Sequence, residues 1–479
     1  MGVTAEIRGR FGRKKAVSPA PAPVGDAEPH LLRLSEVIGA LSYALDLTEG
    51  QPPGHCLRAC WIGMHVGQIL GLDADQLSDL YYALLLKDAG CSSNAARLWQ
   101  LYGGDERALK RDFKTVDMQS LLQVGQFVLQ HAGPGEALRQ RIQRLLNLYR
   151  NGGELATELI QTRCERGANI VKRLGFGPAV AAGVYSLDEH WNGRGRPEGL
   201  AGEAIPINAR IALLSQIADV FHSVGGAAAA REEVQRRMGT WFDPGAVIAF
   251  LTVSNDAGFF EALRPEGLEA RVAALEPAAR VILVDEARLD VIAEAFAEVV
   301  DAKSSFTYGH SQRVAAYAGT IARRLQMSEE RCRWLRRAAL LHDIGKLGVS
   351  NAILDKPGRL DAAEWEAVKK HAQFSEDILA RVSLFTTMAP VAGAHHERLD
   401  GGGYPRQLSG SAITLETRII TAADIFDALT AARPYRGAIP IGQALAMMER
   451  DRDSALDGRC LDALKACAPW LALPSEHKP

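Results

Sequence analysis

Neither charge is in excess in this sequence: 55 basic residues stand against 57 acidic ones, for a formal net charge of -2. A chain so balanced has no general electrostatic pull toward DNA, RNA or an acidic membrane surface, so any anionic ligand must be held by a local cluster. Cysteine is scarce as well. Cys56, Cys60, Cys91, Cys164, Cys332, Cys460 and Cys467 are odd in number, scattered, and without the paired spacing of a thiolate metal site. They fit reduced thiols of a cytoplasmic protein, serving as small buried apolar residues. No stretch approaches the roughly 18 uninterrupted apolar residues of a membrane span. The N-terminus runs from Arg8, Arg10, Arg13, Lys14 and Lys15 into an Ala/Pro-rich segment without the apolar centre of a signal peptide. A soluble chain with no membrane span and no nucleic-acid partner is expected.

Runs of alternating apolar and polar residues are also missing, which argues against strands. Helical spacing takes their place: Val314, Tyr317, Ala318, Ile321 and Leu325 fall along one face, and Gly/Pro breaks recur between such segments. The expected fold is all-α. At 479 residues the chain exceeds one ordinary core and suggests more than one domain. Residues 1–30, basic and then rich in Pro and Ala, read as a disordered tail.

An internal repeat organises the remainder. His55 to Asp88 matches His310 to Asp343, since 310 − 55 and 343 − 88 both equal 255. Farther on, Asn192-Gly193-Arg194-Gly195-Arg196-Pro197 matches Asp400-Gly401-Gly402-Gly403-Tyr404-Pro405, and Ala209-Arg210-Ile211 matches Thr417-Arg418-Ile419, at an offset of 208. The change of 47 (255 − 208) places extra residues in the first copy between Asp88 and Arg163, at about 92–150. Gly103-Gly104, Gly133-Pro134-Gly135 and Gly152-Gly153 are expected to mark turns there. Two tandem helical domains follow, at 31–265 and 304–479, joined by a linker at 266–303 with a helix near Leu289 to Val300.

The second copy contains His310, His342, Asp343, Lys346, His371, His395, His396 and Asp424 in order. Five imidazoles and two carboxylates suit a divalent metal bound through N and O rather than through thiolate. Seven ligands exceed one tetrahedral ion and suit two, with Asp343 as the shared carboxylate. His310, His342 and Asp424 would complete one ion, and His371, His395 and His396 the other. Phosphodiester cleavage needs a nucleophile at neutral pH and neutralisation of the non-bridging oxygens, and a pair of ions supplies both. Lys346, three residues after Asp343, would stabilise charge developing on phosphate. Taken singly, each residue has a plainer reading: a capping His310, a solvated Lys346, a flexible Gly401-Gly402-Gly403 turn. Their ordered succession favours a metal site.

These residues resemble the HD-GYP family of the HD phosphohydrolase superfamily. The resemblance runs through Leu341-His342-Asp343-Ile344-Gly345-Lys346, Ile353-Leu354-Asp355-Lys356-Pro357-Gly358, His395-His396-Glu397-Arg398-Leu399-Asp400-Gly401-Gly402-Gly403-Tyr404-Pro405, Asp424-Ile425-Phe426-Asp427 and Arg433-Pro434-Tyr435-Arg436, covering nearly all of 304–440. It implies a phosphodiesterase that linearises cyclic di-GMP to pGpG, in some members proceeding to GMP, with iron or manganese as the usual metal. It further implies that Asp427, Arg433 and Arg436 meet the substrate, and that Gly403, Tyr404 and Pro405 shape the pocket. Members with three ions carry Glu where Phe306 stands here, so two ions are expected.

The first copy resembles an HD domain that has lost its chemistry. It keeps His55 and Asp88, but Lys87 replaces His342, Cys91 replaces Lys346, Arg163 replaces His371, Leu187 and Asp188 replace His395 and His396, and Gln216 replaces Asp424. Gly225 and Ala228 replace the two arginines. A sensory, packing or homodimerising role is left to it. The tandem arrangement also resembles some phosphodiesterases of 3',3'-cyclic GMP-AMP, which is the alternative substrate. A non-catalytic adaptor, whose Gly-Tyr-Pro loop binds partners such as diguanylate cyclases, is disfavoured by the intact Lys346 and ligand set. A hydrolase of another phosphorylated nucleotide is disfavoured by the Gly-Tyr-Pro segment and the two arginines.

Overall fold

Helix starts obey local capping chemistry. Asp73 and Asp361 open helices Ala74–Leu86 and Ala362–Leu379 with reciprocal capping boxes to Gln76 and Glu364. Ser328 and Thr414 cap Glu329–Leu341 and Leu415–Thr430 with their hydroxyls. The computed structural model describes residues 32–116, 120–304, 307–432 and 437–471. The expected tail over 1–30 lies outside them, as do Phe306, Arg433 and Arg436. Among the described residues the fold is all-α apart from one ladder of two-residue strands, Leu32–Arg33 against Leu283–Val284.

The internal repeat is visible in the element boundaries. Helices His55–Ile69 and Ala74–Leu86 recur 255 residues later as His310–Arg324 and Glu329–Leu341, and the helix opening at Ile207 recurs 208 residues later at Leu415. Within His310–Arg324 the apolar face is the buried one: Val314, Ala318 and Ile321 are 0% exposed, with Tyr317 and Leu325 packed at the core margin.

The halves share one interior. Helix Leu34–Glu49 is buried on nearly every side because it packs on His55–Ile69 and Ala74–Leu86 of the first half and on Ile344–Gly348 and Ala362–Leu379 of the second. The linker helix spans Glu286–Asp301 and packs on both Glu329–Leu341 and Leu138–Arg173. Arg337 holds it by donating to Asp290 at 2.6 Å and to the Glu286 carbonyl at 2.8 Å. Leu32–Pro479 is accordingly one compact unit, and core packing crosses the boundaries expected at 265 and 304. Helix Ile207–Arg236, interrupted at Gly226, is long and apolar enough by length and composition to cross a membrane, but 56% of its most apolar window is buried in this interior.

The extra segment of the first half supplies helices Ala95–Tyr102, Glu106–Phe113 and Leu121–His131, with a small core of Leu109, Val116 and Phe127. Gly103 and Gly133 sit at turns, with φ of 72° and 61°. Gly152-Gly153 does not mark a turn: the 36-residue helix Leu138–Arg173 runs through both. Each glycine weakens a helix by about 1 kcal/mol relative to alanine. The buried Cys164, Ala168 and Val171 anchor the same helix on the core, and tertiary packing overrides that weakness.

A Cβ added at Gly152 or Gly153 meets nothing within 4 Å. Gly152→Ala and Gly153→Ala together should raise unfolding free energy by about 1–2 kcal/mol in a urea titration; a decrease would mean that the chain turns there after all.

Candidate metal centre

Five separate elements deliver the candidate ligands. His310 opens helix His310–Arg324; His342 caps the C-terminus of Glu329–Leu341 and Asp343 follows it. His371 lies within Ala362–Leu379, His395 and His396 follow Ala389–Gly393, and Asp424 lies within Leu415–Thr430. Two glycines permit the convergence. A Cβ on Gly345 would stand 2.0 Å from the His371 carbonyl oxygen and 2.6 Å from the Ser375 nitrogen, so the Asp343-to-Lys346 turn can lie on the His371 helix only without a side chain there. A Cβ on Gly403 would stand 2.5 Å from the Arg398 nitrogen and 2.6 Å from the His396 carbonyl oxygen. Buried Glu397 pins the same loop, accepting from the Arg406 nitrogen at 2.7 Å and the Leu408 nitrogen at 2.9 Å.

All seven residues meet around Asp343, which is 1% exposed. Its Oδ2 lies 3.3 Å from both His310 Nε2 and His342 Nε2, and its Oδ1 lies 3.4 Å from His371 Nε2 and 3.6 Å from His395 Nε2. Asp424 Oδ1 is 3.3 Å from His310 Nε2 and 4.0 Å from His342 Nε2. His396 Nε2 is 3.1 Å from His371 Nε2. The groups His310/His342/Asp343, His371/His395/His396 and His342/His395/Asp424 each bring their ligand atoms within 4.8 Å of one another. Asp343 thus turns one oxygen toward each cluster of imidazoles, as a bridging carboxylate would.

The outer nitrogens orient the rings. His342, His371 and His395 donate through Nδ1 to the carbonyls of Ala339 (2.7 Å), Val368 (2.6 Å) and Ala392 (2.5 Å). A carbonyl only accepts, so Nδ1 carries the proton and the Nε2 lone pair faces the centre. The Nε2 atoms of His310 and His342 and Oδ1 of Asp343 are buried without a hydrogen-bond partner. Buried polar atoms left unpaired and aimed at one point are what a metal site requires.

The electrostatics agree. Burial pushes His371 down to about 4 and holds His395 and His396 well below the ordinary imidazole range, so these rings are neutral donors. Burial would also raise Asp343, but neighbouring His342 and Lys346 hold its carboxyl well below the usual range, leaving it anionic. His310 is pushed down by burial, yet the carboxylates of Asp343, Asp427 and Asp424 around it outweigh that and raise it to about 9, a preference for positive charge at this point that a metal ion would meet.

The residues expected to meet substrate separate into distinct groups. Lys346 lies at the centre, its Nζ hydrogen-bonded to Asp343 Oδ2, with a side chain 20% exposed. Tyr404 packs its ring 4.7 Å from that of His396, and half-buried Pro405 follows it over buried Gly403. Asp427 is 1% exposed, Oδ2 accepts from His310 Nδ1 at 2.7 Å, and Oδ1 accepts from Arg313 Nε at 2.6 Å. With both oxygens engaged, it orients His310. Arg313 and this relay were not anticipated, although a signal existed. The first half, stripped of ligands, keeps the same relay at the same distances: His55 to Asp219 at 2.7 Å and Arg58 to Asp219 at 2.6 Å.

The rest of the first-half centre is filled by protein cations. Lys87 Nζ bonds Asp88, Arg163 bonds Asp188, and Lys114 lies 3.0 Å from Glu49. Glu49, Asp88 and Cys91 would otherwise form a small ligand group. With lysine ammonium groups already on Glu49 and Asp88, and burial pushing the Cys91 thiol well up, these residues do not fit a metal ion.

A family model described as an HD domain matches residues 141–245 and 294–460. The chain is 53% identical over 444 residues to the 3'3'-cGAMP-specific phosphodiesterase 3 of Vibrio cholerae serotype O1, spanning 93% of this chain and 96% of that protein. A crystal structure of a cyclic GMP-AMP specific phosphodiesterase of V. cholerae, V-cGAP3, is similar with a TM-score of 0.65 and 48% identity, over 93% of this chain and 100% of that one. The cyclic di-GMP phosphodiesterase response regulator RpfG of Xanthomonas campestris is 39% identical over 170 residues, 35% of this chain and 45% of that protein.

Replacing Asp427 with Asn removes the charge that orients His310 while keeping the shape. Asp427→Asn should weaken metal affinity about 10- to 100-fold, read by equilibrium dialysis with elemental analysis; wild-type affinity would deny Asp427 that role.

Proposed function

The chain belongs to the HD-domain family, in its HD-GYP-type branch, and from that premise we propose that it is a phosphodiesterase whose preferred substrate is 3',3'-cyclic GMP-AMP. The observation that supports the substrate choice is one match at 53% identity over nearly the whole of both chains. The relative specific for 3'3'-cGAMP aligns over 93% of this chain, first half included, whereas the cyclic di-GMP relative RpfG aligns over 35%. Cyclic di-GMP, the leading expectation from sequence, therefore gives way to its alternative.

The catalytic assignment rests on side-chain chemistry. His310, His342, Asp343 and Asp424 would hold one divalent ion, and His371, His395 and His396, with the second oxygen of Asp343, the other. Bound there, the ions would supply the Lewis acidity that activates water and neutralises a phosphodiester. Iron or manganese suits an all-N,O donor set of imidazole and carboxylate. Lys346, partly exposed beside Asp343, places a cation where charge would develop on phosphate. The Tyr404 ring walls the His396 side and presents an aromatic face near the ligands. Arg433 and Arg436 would grip the nucleotide through planar guanidinium forks. All seven cysteines are unpaired, which supports placing the protein in a reducing cytoplasm.

Metal-reconstituted protein should turn over 3',3'-cyclic GMP-AMP with higher kcat/KM than cyclic di-GMP when products are resolved by chromatography. The reverse order would return cyclic di-GMP as substrate. Asp343→Ala should abolish turnover of both while circular dichroism stays unchanged; an active Asp343→Ala protein would remove the bridging carboxylate from the mechanism.

A further inference from the structure

Helix Glu106–Phe113 belongs to the segment that the first half has and the second lacks, and the proposed chemistry does not use it. One end faces the first half's filled centre. There Lys110 Nζ donates to the Cys91 carbonyl at 2.7 Å and lies 3.3 Å from Glu49. The other end enters the second half. Glu106 is 1% exposed, and its Oε1 is 3.1 Å from the Nζ of Lys303, also 1% exposed. Its Oε2 accepts from Ser350 Oγ at 2.8 Å and from the Asn351 nitrogen at 3.0 Å. The adjacent Arg107 donates to the Gly348 carbonyl.

These partners lie on the two segments that carry the centre of charge. Lys303 lies seven residues before His310, just after helix Glu286–Asp301, and Ser350 and Asn351 follow the turn that bears Asp343 and Lys346. The segments are also tied to each other, because Asn351 Nδ2 donates to the Lys303 carbonyl at 2.7 Å and to Asp355 Oδ2 at 2.6 Å. A buried carboxylate is stable only when paired and hydrogen-bonded, and Glu106 finds its charge partner at the end of the linker and its hydrogen-bond donors in the second half.

We propose that Glu106 is a positioning residue for the metal centre: through it, the inserted helix of the first half clamps the His310 approach and the segment after Lys346 in register. The clamp consists of a neutralised charge and a cap on the 350–351 backbone, and the cap does the positioning. The turnover part of its test rests on the phosphodiesterase reading; the amide-exchange part does not.

Two double variants separate cap from charge, since both remove the buried pair in balance. Glu106→Gln/Lys303→Met retains an acceptor for Ser350 and Asn351 and should keep kcat within about threefold of wild type. Glu106→Ala/Lys303→Met loses the acceptor and should lose about 10- to 100-fold in kcat. Its KM and metal content should stay unchanged, while hydrogen exchange shows lost protection over 346–352 and retained protection in Leu415–Thr430. Wild-type kcat or wild-type protection over 346–352 in that variant would overturn the proposal, and so would an equal fall in both double variants. Should Glu106→Ala/Lys303→Met fail to fold, Ser350→Ala removes that donor, together with the cap its hydroxyl gives the Ala352 nitrogen, without touching either buried charge. It should lower kcat and protection together by about threefold, and no change in either would overturn the clamp. A wild-type protein that cleaves neither dinucleotide would sink the phosphodiesterase reading and leave the exchange data to decide on Glu106.

Discussion

The Asp343 carboxylate, shut away from water at the meeting point of five chain segments, is the constraint the second half answers to. A buried anion persists only when other groups replace its hydration. Imidazole nitrogens surround it, Lys346 bonds it, and each ring of His342, His371 and His395 is turned by a backbone carbonyl on its far side. The close approach at Gly345 and the pinning of the 398–408 loop by Glu397 both serve to bring those rings to one carboxylate.

The first half shows what happens when the same scaffold is relieved of chemistry. Asp88 and Glu49 remain buried, and lysine side chains take up their charge. The relay from His55 through Asp219 to Arg58 survives, because it also satisfies buried polar atoms of the packed helices. Packing depends on shape and on charge neutrality, both of which protein cations supply. Lewis acidity is not among the properties they supply. A half whose centre is filled by protein cations thus keeps the helix register of the half that carries the seven candidate ligands, and shares one interior with it.

Much of this was legible along the chain. The apolar period of His310–Arg324, the offsets of the two copies and the ordered run of candidate ligands from His310 to Asp424 are local or pairwise patterns, and the all-α architecture and the set of side chains that converge on Asp343 follow from them. One feature misled. Gly152-Gly153 has the composition of a turn, yet the contacts of the following helical turns decide the matter. Asp427 lies beside Asp424 in a motif, and only burial of both its oxygens shows that it serves His310. The choice between cyclic dinucleotides was also not readable from the motifs, since both candidate substrates present guanine and the same phosphodiester linkages.

The sequence by itself determined which side chains are available as ligands, the helical period and the duplication, because side-chain chemistry and spacing are properties of the chain before it folds. Tertiary structure alone decided which oxygen of Asp343 faces which imidazoles, that cations fill the first centre, and that Glu106 of one half caps the backbone of the other. Those outcomes depend on which distant groups are excluded from water together, and exclusion from water is a property of the packed molecule.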